Sequence, residues 1–171
     1  ASLSMANGFF GNINLTGSDT LTVTGATSFT AQAGNQKTTT MSGTGRTIAL
    51  GGLSIATASG NTLNLSGGRT LVSPATATFN TSPVPLTVSG GSTIVNDFGA
   101  IWNQQNGATI ASSTGGGTFS NQGTFNSSGG TNTVGIGFNN TGIVNVTSGK
   151  LALTGGGTST GGTFNVSSGV T

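Results

Sequence analysis

The sequence contains no cysteine, no histidine and no tyrosine, and its two acidic residues are Asp19 and Asp97, so glutamate is absent as well. Without cysteine there is neither a disulfide to staple the fold nor a thiol nucleophile. Without histidine and glutamate, the common general bases and zinc ligand sets are also missing. The composition therefore predicts a protein that is not an enzyme and that holds no metal or other cofactor.

Charge is scarce along the whole chain. Charged residues make up 4% of the 171 residues, whereas an ordinary soluble domain carries about 25%. The four cations, Lys37, Arg46, Arg69 and Lys150, are scattered, so they form no basic patch that could neutralise a run of phosphates. No apolar run approaches the ~18 residues of a membrane span. We therefore expect neither nucleic-acid binding nor membrane insertion.

Glycine accounts for 32 residues, which raises the alternatives of a disordered linker or a collagen helix. Disordered chains combine low hydrophobicity with high net charge, but this sequence is 32% apolar with a net charge of +2. Collagen needs glycine at every third position and abundant proline, and only three prolines are present. The chain is therefore expected to fold into a packed structure.

A phrase that repeats near the end of the sequence indicates the unit of the fold. Asn-Val-Thr-Ser-Gly at 145–149 returns as Asn-Val-Ser-Ser-Gly at 165–169, twenty residues later. Each copy contains part of a short apolar run, and Leu151 and Leu153 alternate with other residues between the copies. A unit of this kind cannot bury its apolar face alone and stacks on its neighbours, which is typical of a solenoid.

Short runs with apolar residues at every second position recur along the chain and predict strands that are buried on one face. Examples are the pairs Ile13/Leu15, Leu21/Val23 and Leu63/Leu65. Glycine separates many of these runs, as expected for turns. Thr, Ser, Asn, Gly and Val are weak helix formers, and no window has apolar residues at helical spacing. The sequence predicts an all-β fold without helices.

Phenylalanines recur at a steady interval that indicates the length of one coil. Phe79, Phe98, Phe119 and Phe138 follow one another at a nearly constant spacing of about 20 residues. At about 20 residues per coil and ~4.8 Å between stacked strands, the chain predicts a single parallel β-solenoid of roughly eight to nine coils. The inward phenylalanines are expected to stack on one another.

Residues 1–171 are predicted to form one solenoid domain, with the most regular repeats in 115–171. The polar stretch around Lys37 predicts an irregular loop near 33–45. Three prolines predict a second irregular segment near 73–85, because proline cannot donate a hydrogen bond to a strand ladder.

Asp19 and Asp97 are too far apart for a paired carboxylate site. Their separation along the chain corresponds to about four coils, or ~20 Å at ~4.8 Å per coil. Hydrolysis of glycosides by such folds needs clustered acids. We interpret both aspartates as turn residues.

One aromatic residue with adjacent amides is the candidate ligand site of the sequence. The candidate contacts are Trp102, Asn103, Gln104 and Gln105. An aromatic ring beside amide groups is suited to stacking on a sugar whose hydroxyls the amides bind. The alternative is that Trp102 packs over Phe98 or Ile101 at a corner of the coil.

Threonine-rich runs raise a further alternative, a flat ice-binding surface. Thr20, Thr22 and Thr24 alternate along one run. Such a surface needs the same Thr-x-Thr motif in every coil, and a corresponding phrase reads Val144-Asn-Val146. A carbohydrate-binding or ice-binding module is thus the alternative to a purely structural role.

The phrases GTFSNQGTFNSS, GIVNVTSGKLALTGGG and STGGTFNVSSGVT resemble the Gly/Asn/Thr-rich repeats of bacterial autotransporter passengers and filamentous-haemagglutinin-like surface adhesins. The resemblance is clearest over 115–171. It implies a right-handed parallel β-helix that is secreted and displayed on the outside of a bacterial cell. Host or biofilm glycans are the external partners that such a location suggests.

The ends of the sequence show neither a helical nor a charged cap. Uncovered terminal coils expose unpaired backbone groups and apolar side chains. We therefore expect either a segment of a longer solenoid or subunits that associate head to tail into a filament. The sequence predicts a structural, non-enzymatic unit of an extracellular bacterial surface fibre or adhesin.

Overall fold

The computed structural model describes residues 1–7, 12–31, 38–57, 61–80 and 84–170. These residues form 21 short strands, and no helix occurs among them. The strands are β1 (Leu3–Asn7), β2 (Ile13–Leu15), β3 (Thr20–Val23), β4 (Thr27–Ala31), β5 (Thr38–Met41), β6 (Arg46–Ala49), β7 (Leu53–Thr57), β8 (Thr62–Leu65), β9 (Thr70–Ser73), β10 (Thr76–Asn80), β11 (Leu86–Val88), β12 (Ser92–Asn96), β13 (Ile101–Gln105), β14 (Thr109–Ser112), β15 (Gly117–Asn121), β16 (Thr124–Ser128), β17 (Thr131–Val134), β18 (Gly137–Asn140), β19 (Ile143–Val146), β20 (Lys150–Leu153) and β21 (Thr163–Val166).

Up to β20, every third strand belongs to the same sheet, so the chain winds repeatedly through three sheets. Sheet A has the order β1-β4-β7-β10-β13-β16-β19-β21, sheet B the order β2-β5-β8-β11-β14-β17-β20, and sheet C the order β3-β6-β9-β12-β15-β18. Neighbouring strands are parallel. This confirms the predicted all-β parallel solenoid. Six turns carry a strand in all three sheets, followed by β19, β20 and β21, so the expected eight to nine coils are not confirmed.

The turns shorten along the chain. Leu3 pairs with Thr27, and Thr27 pairs with Leu53, whereas Phe125 near the other end pairs with Val144. The numbers of the paired residues show that the first two turns are longer than the later one. The difference lies partly in the connections from sheet A to sheet B, since six residues separate β4 from β5 and two separate β16 from β17. The coil length expected from the sequence therefore applies only to the last turns.

The two segments predicted to be irregular contain strands. Thr38–Met41 forms β5, and Thr76–Asn80 forms β10. Residues 33–37 and 81–83 of the same segments lie outside the described residues.

The core consists of inward side chains that stack from turn to turn. In β16, Phe125 and Ser127 are buried and alternate with partly exposed residues. Phe119 stacks on Phe138 of the next turn, with ring centroids 5.4 Å apart and ring planes at 23°. Each interior turn therefore buries apolar area against both neighbours, which stabilises it by about 25 cal/mol per Å².

The predicted row of four stacked phenylalanines is wrong. Phe98 lies in the turn between β12 and β13 and is 87% exposed. Phe79 belongs to sheet A, where it pairs with Gln104, whereas Phe119 belongs to sheet C. Gln104, and not Phe98, lies one full turn after Phe79. Phe98 comes earlier in the chain than Gln104, so it lies in the corner that precedes β13, the next strand of sheet A.

The corner between sheets B and C requires glycine. Gly43, Gly67, Gly90 and Gly115 follow one another there from turn to turn, with φ angles of 85°, 71°, 61° and 81°. A Cβ atom on Gly67 would lie 2.9 Å from the backbone nitrogen of Gly43. The left-handed backbone and the close approach of neighbouring turns leave no room for a side chain.

Candidate functional site

Trp102, the predicted ligand contact, lies inside the solenoid. Its side chain is 0% exposed and packs edge-on against Phe119 and Phe79, with centroid distances of 4.9 and 6.5 Å. The ring therefore has no face that is open to a sugar in the folded chain. The alternative interpretation expected Trp102 to pack over Phe98 or Ile101 at a corner. The residue does pack against other side chains, but it lies within β13 and its ring contacts Phe79 and Phe119.

The other three candidate contacts lie on opposite faces of β13. Gln104 is 0% exposed, and its Nε2 donates to the carbonyl oxygens of Ala108 at 2.8 Å and Thr133 at 3.0 Å. Asn103 and Gln105 point outward and are partly exposed. A ligand role of this segment is thereby restricted to Asn103 and Gln105, and it stays a prediction.

Asp19 and Asp97 lie at different corners of the solenoid. Asp19 precedes β3, between sheets B and C, and Asp97 follows β12 three turns later, between sheets C and A. The Oδ1 atom of Asp97 accepts a hydrogen bond from the N–H of Phe98 at 2.9 Å, as suits a turn residue. Within the described ranges, no group of three or more His, Cys, Asp or Glu side chains could hold a metal ion.

Four asparagines form a continuous row on the outer face of sheet A, which we call the outer asparagine ladder. Asn165 donates from Nδ2 to Oδ1 of Asn145 at 2.9 Å, Asn145 to Asn126 at 2.9 Å, and Asn126 to Asn103 at 3.0 Å. Every bond runs in the same direction, from a later turn to an earlier one. At one end of the ladder the Nδ2 group of Asn103 has no ladder acceptor, and at the other end the Oδ1 atom of Asn165 has no ladder donor.

A second row, the inner asparagine ladder, lies buried where sheet C turns into sheet A. Asn96 donates to Oδ1 of Asn121 at 2.7 Å, and Asn121 donates to Oδ1 of Asn140 at 2.7 Å. The same amide groups also donate to the backbone carbonyls of Thr124 at 3.0 Å and Ile143 at 3.1 Å. These bonds give the buried amide nitrogens of Asn96 and Asn121 their hydrogen-bond partners.

The sequence signals for the two ladders differ in strength. Asn145 and Asn165 stand out because they belong to the repeated phrase. Asn103 and Asn126, like Asn165 but unlike Asn145, directly follow a large aromatic residue, and this pattern is the signal that would have found the rest of the outer ladder. The inner ladder has no comparable signal, because its members align only once the register of sheet C is known.

Arg69 is a buried cation with no carboxylate partner among the described residues. It is 2% exposed, and its Nε and Nη2 atoms donate to Oγ1 of Thr47 at 3.0 and 2.9 Å. Its Nη1 atom donates to the carbonyl oxygens of Ser42 at 3.0 Å and Gly17 at 3.4 Å. Burial lowers the pKa of the Arg69 guanidinium from its ordinary value. These contacts tie three successive turns together, and we assign Arg69 a structural role.

Strand β21 ends sheet A with an open edge in the described chain. Phe164 and Val166 are 44% and 52% exposed, whereas Val144, which occupies the same place as Phe164 one turn earlier, is 0% exposed. The N–H groups of Thr163 and Ser167 bond back to the preceding turn. Alternate residues of a strand bond to opposite sides, so the backbone groups of Phe164 and Val166 face along the axis, away from β19.

A groove of about 350 Å³ crosses successive corners between sheets C and A, and we call it the corner groove. Its lining residues are Phe98, Gly99, Gln122, Gly123, Thr124, Thr141, Gly142, Ile143, Gly161 and Thr163. Phe98 is 87% exposed, and Ile143 is 43% exposed. Sequence reasoning missed this groove because it placed Phe98 in the core.

Comparison with known proteins identifies no function for this solenoid. Among the described residues, none forms a helix long and apolar enough to cross a membrane. No protein family, curated protein or solved structure that was compared with the chain matches it.

Proposed function

We propose that the chain is a structural, non-enzymatic unit of a secreted bacterial surface fibre or adhesin, and that its turns are extended end to end. The extension comes either from further turns of a longer chain or from a neighbouring copy. The observation that carries this proposal is the open edge of β21. Secretion and a cell-surface location rest on the resemblance of the 115–171 phrases alone.

The exposure of apolar side chains on β21 supports extension. Phe164 and Val166 continue rows whose other members are buried, such as Val144 and Val146. One further turn would cover both side chains and pair their free backbone groups. An uncovered strand edge of this kind is a template for pairing with another strand.

The direction of the outer asparagine ladder supports the same extension. No described residue donates to the Oδ1 atom of Asn165, and this atom occupies the place at which Asn145 accepts its bond. An asparagine or serine in the next turn would continue the row with the same polarity. The ladder would thereby fix the register of the added strand, because a shift by one residue brings an inward side chain to this position.

Mechanical stiffness follows from backbone ladders that run along the whole rod. Only six side chains of the sequence are charged, and none is histidine. Ion pairs weaken in salt, whereas stacked apolar rows and amide ladders do not depend on them. A fibre of this type would keep its shape over a wide range of salt and pH.

We also propose that the coil is right-handed. The resemblance of the 115–171 phrases to surface-protein repeats implies this hand.

The test of extension is to place a charge at the open edge. Val166→Lys would put an ammonium group where the next turn must pack, while the exposed site tolerates it in the isolated chain. Ser167→Lys adds the same charge at the neighbouring exposed, outward position and is the matched control. We expect rods that lengthen with concentration for the original chain and for Ser167→Lys, but not for Val166→Lys, as measured by electron microscopy and solution scattering. Monomers of constant length at all concentrations would contradict association between copies.

An ice-binding surface is not favoured by the register of the strands. Thr20 and Thr22 are paired with Arg46 and Ile48 in the next turn. The threonine pattern is therefore interrupted one step along the sheet. Thermal hysteresis in a freezing assay would reverse this conclusion.

A further inference from the structure

The corner groove presents an aromatic ring to solvent in an ordered setting. The turn that holds Phe98 is fixed by the Asp97 carboxylate, which accepts the N–H of Phe98 at 2.9 Å, and by a hydrogen bond from the N–H of Ala100 to the carbonyl of Asp97 at 3.0 Å. Gly99 adopts a φ of 76°, which permits the tight turn. The backbone therefore fixes the direction of the Cα–Cβ bond of Phe98, and the side chain is 87% exposed.

The surroundings of Phe98 combine apolar surface with uncharged polar groups. Ile143 contributes exposed aliphatic surface, and Gln122, Thr124 and Thr141 contribute one amide and two hydroxyl groups. None of the ten residues that line the groove is charged. Asp97 lies beside it, but its carboxylate is turned to the Phe98 N–H.

The groove follows the axis of the solenoid. It touches the corner at Phe98, the next at 122–123, the next at 141–142, and then Gly161. Three steps of about 4.8 Å give a length of ~14 Å, with polar side chains at each corner after the one that holds Phe98. This shape suits an extended, repeating ligand better than a compact one.

We propose that the corner groove binds a neutral glycan, with Phe98 as the stacking platform and Gln122, Thr124 and Thr141 as hydrogen-bonding partners. A sugar ring offers apolar C–H groups on one face and hydroxyl groups at its rim, which matches an aromatic ring flanked by hydroxyls and an amide. An anionic polymer finds no cation here to compensate its charge. This site is distinct from the Trp102 segment.

The binding experiment uses the whole chain and defined probes. Immobilised linear hexasaccharides of glucose, mannose, galactose and N-acetylglucosamine are the neutral set, and heparin and alginate are the anionic set. We expect binding to at least one neutral hexasaccharide, with an affinity that changes less than about twofold between low and high salt, because no charge is involved. Absence of binding to every neutral probe, or binding to the anionic set alone, overturns the proposal.

Substitutions at Phe98 then separate stacking from simple apolar contact. Phe98→Ala and Phe98→Leu should each weaken binding by about tenfold, the size expected for the loss of one aromatic contact, while Phe98→Trp should retain it. Leu50→Ala is the matched control, because Leu50 is an exposed apolar residue (47%) at the same kind of corner outside the groove. Binding by Phe98→Leu that equals the original would overturn the stacking role. None of these variants alters β21, so the result is independent of fibre extension.

Discussion

Asn145 donates a hydrogen bond from its side-chain amide to the side-chain carbonyl of Asn126 over 2.9 Å, and the two residues occupy the same place in adjacent turns. Asn145 also accepts an equivalent bond from Asn165 at 2.9 Å. An interior member of the outer ladder thus makes two amide bonds, whereas Asn165 makes one. Substitution of Asn145 and of Asn165 therefore allows the contribution of one ladder hydrogen bond to the free energy of unfolding to be measured.

Asn145→Ala should destabilise the fold more than Asn165→Ala. The first substitution removes two side-chain hydrogen bonds and the second removes one, at about 1 kcal/mol each. We expect losses of about 2 and about 1 kcal/mol in the free energy of unfolding, from urea denaturation with an unchanged m-value. Equal losses would show that the outer ladder does not act as a connected row.

Asn121→Ala should be more damaging than any change in the outer ladder. Asn121 is 0% exposed, and its loss would leave the Nδ2 of Asn96, the Oδ1 of Asn140 and the carbonyl of Ile143 without these partners. Asn96 Nδ2 keeps its bond to the carbonyl of Thr124, and Asn140 Oδ1 keeps the bond from the N–H of Gly142. Three buried hydrogen bonds are lost, at about 1 kcal/mol each, so the total loss should be about 3 kcal/mol.

The control for Asn121→Ala is Asn126→Ala in the next strand of the chain. Asn126, like Asn121, bonds to one asparagine in each adjacent turn, but it makes no third bond to a backbone carbonyl of the described residues and its side chain is only partly buried. Because water can replace the lost partners there, we expect a loss of about 2 kcal/mol or less. Equal losses in the free energy of unfolding for both substitutions would show that burial of Asn121 at the corner adds nothing to the cost of removing its hydrogen bonds.

The parallel solenoid could be predicted because its signals are local. Alternation such as that of Leu63 and Leu65, followed by glycine, indicates a half-buried strand and a turn without knowledge of the partner strand. The repeat of 145–149 at 165–169 adds the stacking. The length of the earlier turns could not be predicted, because extra residues in the connections leave no periodic trace.

The candidate sites depended on register and were therefore only partly predictable. The assignment of Phe98 to the core assumed a constant coil length, and the longer turn that pairs Phe79 with Gln104 displaces Phe98 to the surface. Trp102 stands beside three amide side chains in the sequence, but strand alternation directs it inward, on the same face of β13 as Gln104. Arg69 gave no sign of burial, because its partners are oxygens from two earlier turns.

Trp102→Ala should be strongly destabilising, because the residue fills the core and does not face a ligand. Removal of a fully buried tryptophan costs about 3–5 kcal/mol, and the contacts with Phe79 and Phe119 are lost with it. Phe98→Ala, at an 87% exposed position, is the control and should change stability by less than about 0.5 kcal/mol. As the only tryptophan, Trp102 should also give blue-shifted fluorescence that moves to the red on unfolding. Emission typical of a solvent-exposed indole in the folded protein would contradict the buried position.

Stability should hardly depend on pH between about pH 5.5 and 9. The sequence has no histidine or cysteine, the side chains that ordinarily titrate in this range. Burial lowers the pKa of the Arg69 guanidinium, so the folded chain releases this proton at a lower pH than the unfolded chain does. The sign follows from proton linkage: the penalty for burying the cation is present at neutral pH and is relieved only at strongly alkaline pH, where stability should rise.

Arg69→Lys tests the same site, because lysine cannot reproduce the forked contacts to Thr47 and Ser42. We expect a loss of about 2–4 kcal/mol at neutral pH, measured by urea denaturation at several pH values. Because burial lowers the pKa of a lysine at this site, the loss should become smaller as the pH rises. A marked loss of stability between pH 5.5 and 9 in the original chain would show that a group other than Arg69 controls the fold.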